Sequence, residues 1–147
     1  MEIKDMFSKE RVCLQLGAKN KLEAIDELID ILVKDGKIND KETFRKAVLK
    51  REEEFSTGIG MGIAIPHGKS DSVNEAAIVF GKSDQGIDYG SMDDKPAHLF
   101  FLIAVPQDSN DIHLRALSQI SRKLMHTDVR NAIMNSSNFE EFIKVFE

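Results

Sequence analysis

The run AHLFFLIAVP, residues 97–106, limits the fold more than any other stretch of this sequence. It falls well short of the roughly 18 residues that a membrane helix needs, so it reads as a buried strand. EAAIVFGK, residues 75–82, is a second strand candidate. GIAIP, residues 62–66, is a short one that ends at Pro66, which has no N–H to continue a ladder and so leaves His67 at the strand's carboxyl end. GIDYGSMDDKP, residues 86–96, reads as turns with room for a short edge strand.

Helical periodicity surrounds these strands. Leu22, Ile25, Leu28, Ile29 and Leu32 mark a helix over 21–34, opened by a capping box of Asn20 and Glu23 and stopped by Gly36. A second spans 41–53 behind the cap Asp40, with Phe44, Ala47, Val48 and Arg51 on neighbouring turns, so Arg51 stands near its C-terminal end. A third runs from about Asn110 to Met125 and puts His113, in its first turn, on one face with Leu117, Ile120 and Leu124. Segments 128–134, capped by Thr127, and 139–146 complete the chain. Strands alternating with helices in this way predict one domain over 1–147, a three-layer α/β/α sandwich around a mixed sheet.

Composition narrows the function. A net charge of −5 lacks the basic stripe that a nucleic-acid reader needs, so a protein partner or a small anion is expected. MEIKDMFSKE has no apolar signal core, and a cytoplasmic protein without direct membrane insertion is expected. The one cysteine, Cys13, has no partner for a disulfide and reads as a small core hydrophobe.

The chemistry concentrates in REEEFSTGIGMGIAIPHGKS, residues 51–70. GIAIPHGKS misses the Walker spacing by one residue, with five rather than four between Gly62 and Gly68, and GIGMG has Ile63 where a dinucleotide loop needs its last glycine. His67, His98, His113 and His126 match no ligand spacing, so neither a metal nor a cofactor is expected; His98 reads as structural and His126 as solvated. A histidine nucleophile fits better. A neutral imidazole can attack phosphorus and later release the group. Around His67, Gly68 would admit another molecule, Gly58, Gly60 and Gly62 would turn backbone N–H groups inward, and Ser56, Thr57 and Ser70 would add hydroxyls. Arg51 would offer a charged fork, and His113 a ring N–H at a helix N-terminus. A non-catalytic module that captures an anion on this loop is the alternative of another class.

The run from Arg51 to Lys69, RxxxxSTGIGxGIAIPHGK, resembles the active-site segment of the EIIA subunits of bacterial sugar phosphotransferase systems, of the fructose–mannitol type. LFFLIAVPQDSNDIHLRAL, residues 99–117, is similar to the second histidine motif of that family. The resemblance implies His67 as the phosphorylated residue, His113 as its companion, Arg51 close by, and a compact α/β/α fold. It also implies that the phosphocarrier HPr donates the group and that an EIIB domain accepts it, before the membrane EIIC moves and phosphorylates the sugar. The G-I-D-Y turn at 86–89 resembles the fructose branch. A regulatory, nitrogen-type EIIA, signalling by its phosphorylation state, has the same site.

Overall fold

In the computed structural model, which describes residues 2–109 and 111–147, the apolar run forms the central strand β6 (Ala97–Pro106). One edge of β6 pairs antiparallel with β5 (Ala77–Ile87). The other pairs parallel with β3 (Ile63–Ala64) and then with β4 (His67–Ser70), which lie end to end along it. β1 (Val12–Cys13) joins β5 in parallel, and β2 (Gly58–Gly60) joins β3 antiparallel. The sheet is therefore mixed, in the order β1-β5-β6-β3-β2 with β4 also beside β6.

The two-residue alternation of β6 divides the core in two. Phe100, Leu102 and Ala104 pack beneath α1 (Lys21–Lys34) and α2 (Lys41–Glu54), against Ile25, Leu28, Leu32, Phe44 and Val48. Leu99, Phe101, Ile103 and Val105 pack on the other face beneath α3 (Ile112–Leu124), α4 (Thr127–Met134) and α5 (Phe139–Lys144), against Ile120, Leu124, Ile133 and Phe142. The expected α/β/α sandwich is the observed one.

Local signals set most helix ends. Asn20 Oδ1 accepts from the Glu23 amide at 2.9 Å, and Asp40 Oδ1 accepts from Thr43 at 3.2 Å. The expected start of α3 at Asn110 lies outside the described residues. α4 begins one residue before the expected Asp128, at Thr127: the His126 carbonyl accepts from Val129 and Arg130, and Thr127 Oγ1 accepts from Arg130 Nη2 within the first turn. Residues 88–96 form turns rather than an edge strand, with the Met92 amide bonded to the Gly58 carbonyl and the Asp93 carboxylate to the Met61 amide. Cys13 is half-buried against the α1–α2 side of the core.

Two expectations near the site change. The strand at 62–66 stops at Ala64, and His67 opens β4 instead of ending a strand. Pro66 has no amide to offer and the Ile65 amide bonds to the Thr57 carbonyl on the β2 side, while the Pro66 carbonyl keeps β6 in register by accepting from Ile103 at 3.0 Å. Gly68 does not make room for another molecule. A side chain there would meet Phe44 and Val48 at 2.9 Å, so its glycine lets α2 lie close on β4.

Two substitutions test this packing. Phe101→Ala removes a fully buried ring that touches Phe7, Phe80 and Phe146, and should lower the unfolding free energy in urea titration by about 3–5 kcal/mol. Gly68→Ala should lower it by about 1–3 kcal/mol through overpacking against α2, an effect that Val48→Ala in the same chain should partly relieve.

Candidate functional site

Strand alternation turns His67 to the α3 side of the sheet, and the first turn of α3 brings His113 to meet it. The two rings lie nearly parallel, at 29°, with centroids 6.5 Å apart. His67 Nδ1 is 3.0 Å from the Ile65 carbonyl, which can only accept, so the neutral ring carries its proton on Nδ1 and presents the Nε2 lone pair to the cleft. Burial lowers the His67 pKa and the Arg51 charge adds to the effect, against the opposing pull of the Ile65 carbonyl and Glu52. His113 is lowered too, by burial first and then by Lys69 and His67, and its buried Nδ1 has no hydrogen-bond partner among the described residues. Both imidazoles are therefore neutral at pH 7.

Arg51, in the last turn of α2, donates from Nη1 to the Phe55 carbonyl at 2.9 Å. His67 and Arg51 together line two adjoining clefts. One runs between α2 and α3 past Lys50, Lys69 and His113, where Gly68 contributes backbone; the other is walled by Phe55, Thr57, Ile59 and Met92. Apolar side chains stand open to solvent around them: Phe55 is 77% exposed, Met92 79% and Leu114 55%.

The hydroxyls expected to face a phosphoryl group are engaged elsewhere. Ser56 Oγ donates to the Tyr89 carbonyl at 3.2 Å and accepts from the Gly58 amide. Thr57 is buried, its Oγ1 donating to the Glu52 carboxylate and lying 3.0 Å from the Tyr89 hydroxyl. Ser70 is buried against Ser72. Nor do the glycines form an anion cradle. Gly60 and Gly62, at φ 94° and 77°, close the β2–β3 hairpin, and the Gly62 carbonyl accepts from His98 and Leu99, whereas His67 sits opposite Ile103 further along β6. His98 Nδ1 lies 2.8 Å from the Ser83 carbonyl and His126 is exposed; among the described residues no group of three or more His, Cys, Asp or Glu is placed to hold a metal ion.

The site thus gathers His67, His113 and Arg51, with Ser56 and Thr57 as a wall. Behind that wall Glu52 and Tyr89 are buried and bonded to Thr57 and Ser56, a pair that sequence reasoning passed over. The spacing Phe44, Val48, Glu52 places the glutamate on the buried stripe of α2.

Comparison with known proteins fits this arrangement. The family model described as phosphoenolpyruvate-dependent sugar phosphotransferase system, EIIA 2, matches residues 5–147. The fructose-specific EIIABC component of Bacillus subtilis is 42% identical over 145 residues, which is 99% of this chain and 23% of that protein. The nitrogen regulatory protein IIA-Ntr of Neisseria meningitidis superposes with a TM-score of 0.86 at 25% identity, covering 99% of each chain. Escherichia coli enzyme IIA of the mannitol system, solved in complex with phosphorylated enzyme IIB, superposes with a TM-score of 0.82 at 26% identity over 95% of this chain and 96% of that one. The chain belongs to the EIIA 2 family of the phosphoenolpyruvate-dependent sugar phosphotransferase system, a family of phosphotransferase components.

Proposed function

We propose that the chain is a phosphocarrier in which His67 accepts a phosphoryl group from phospho-HPr and passes it to an EIIB domain, for uptake and phosphorylation of a sugar by the membrane EIIC. The observation that carries this reading is the pair of nearly parallel histidines, with His67 Nδ1 held by the Ile65 carbonyl so that Nε2 is the nitrogen presented to the cleft. Nε2 attacks phosphorus in line as the donor's bond to phosphorus breaks, and the Nδ1 proton stays on its bond to the Ile65 carbonyl throughout. Arg51 and the His113 ring stabilise charge on the transferring oxygens. The apolar rim of Phe55, Met92 and Leu114 suits a protein partner rather than a free sugar. Fructose is the favoured sugar, by the fructose-specific relative, and the mannitol-system complex with enzyme IIB supports an EIIB acceptor. This role puts the chain in the cytoplasm; no helix among the described residues is long and apolar enough to cross a membrane.

Incubation with phosphoenolpyruvate, Enzyme I and HPr, read by intact mass, should add one acid-labile phosphoryl group that disappears in His67→Ala. An adduct that survives in that variant would sink the assignment. His113→Ala should slow acceptance on the order of 10²- to 10³-fold while leaving an acceptor in place, and a parent-like rate would return His113 to a packing role. Because burial lowers the His67 pKa from its ordinary 6.5, the neutral nucleophile persists as pH falls through that value. The midpoint of the decline in acceptance rate with falling pH should therefore lie below 6.5. A regulatory EIIA would load in the same way, so transfer onward to a fructose-type EIIB, followed by loss of the adduct, is the measurement that separates the two.

A further inference from the structure

We propose that Glu52 is a positioning residue for His67, acting through Thr57 and the Ile65 peptide. Its residue is 8% exposed, and four donors converge on the two carboxylate oxygens. The Thr57 amide at 3.1 Å and Lys21 Nζ at 2.9 Å reach Oε1, while the Thr57 hydroxyl and the Tyr89 hydroxyl, at 3.1 Å, reach Oε2. Burial pushes the Tyr89 pKa upward, so its hydroxyl keeps the proton that it donates. Thr57 is thereby held at both its amide and its side chain. Its carbonyl accepts from the Ile65 amide at 3.0 Å, and the Ile65 carbonyl is the group that anchors His67 Nδ1. Three hydrogen bonds, joined through the backbone of Thr57 and of Ile65, connect the Glu52 carboxylate to the nucleophilic ring, and Tyr89 clamps the same loop a second time through its carbonyl to Ser56.

The placement of these charges argues that the link has a task beyond stability. Glu52 sits in the last turn of α2 and Lys21 is the first residue of α1, so each charge stands at the end of its helix dipole that disfavours it. Burial of a carboxylate adds a desolvation cost. An apolar residue would continue the Phe44–Val48 stripe at lower cost, but it would leave the Thr57 amide without its partner and the Thr57 hydroxyl with Tyr89 alone, so the Ile65 peptide would be held less firmly. Lys21 also lies 4.6 Å over the Tyr89 ring, which fixes the aromatic that completes the cluster.

The proposal takes His67 to be the phosphoryl acceptor, and its test separates the two ideas. Imidazole nitrogen NMR on unphosphorylated protein, at a pH above the His67 titration, reports which ring nitrogen holds the proton and needs no donor. The parent should read as Nδ1–H. In Glu52→Gln, where an amide N–H₂ faces donors it cannot accept from, a substantial share should shift to Nε2–H, and acceptance from phospho-HPr should slow by about 10- to 100-fold, the range seen when a histidine loses an outer partner. Tyr89→Phe and Lys21→Met should move both readouts the same way by less, and they carry the test if Glu52→Gln does not fold. A folded Glu52→Gln with the parent tautomer and the parent rate overturns the proposal, as does an unchanged tautomer in both milder variants. A tautomer shift in a protein that never loads phosphate on His67 upholds the positioning role and overturns the phosphocarrier reading instead.

Discussion

Everything in this molecule is arranged around a strand that has no polar face. Because β6 buries both sets of its alternating side chains, it must lie inside the sheet with helices above and below, and its two edges must each find a partner. The edge that does not pair with β5 is filled by two short strands rather than one long one. The break between them falls at Ile65–Pro66, where the Ile65 amide is bonded to Thr57 on the β2 side and Pro66 has no amide to give. The site is built on that interruption. The Ile65 amide carries the β2–β3 pairing on to the Thr57 carbonyl, and the Ile65 carbonyl then holds the His67 ring where β4 begins.

Much of this was legible in the sequence where one local pattern dominates. The apolar stripe of α1 and the caps Asn20 and Asp40 act within a few residues, so periodicity and capping chemistry locate those helices closely. His67, His113 and Arg51 could be singled out because their residue types and motif spacing are informative, and the fold brings them together through the β4–β6 register and the start of α3.

The glycines and hydroxyls were less legible, for a physical reason. A glycine states that a side chain is intolerable but not what excludes it: at Gly68 the excluding group is a helix, and at Gly60 and Gly62 it is a tight turn. A hydroxyl reports the ability to bond without naming its partner, and the partners of Ser56 and Thr57 are Tyr89, some 30 residues on, and a glutamate one helical turn back. Glu52 was hidden in a run of three glutamates whose composition suggests solvent, although the four-residue spacing from Val48 turns only this one inward.

The anchor of the His67 ring also bears on how firmly a group attached there would be held. Many functional histidines are oriented by a carboxylate, which makes the ring more basic and strengthens whatever bond its other nitrogen forms. Here the orienting group is an uncharged peptide carbonyl. It fixes direction while adding less basicity than a charged carboxylate would, and a less basic nitrogen is the better leaving group. A carrier must surrender its cargo as readily as it takes it, and a neutral anchor keeps those two steps close to balance.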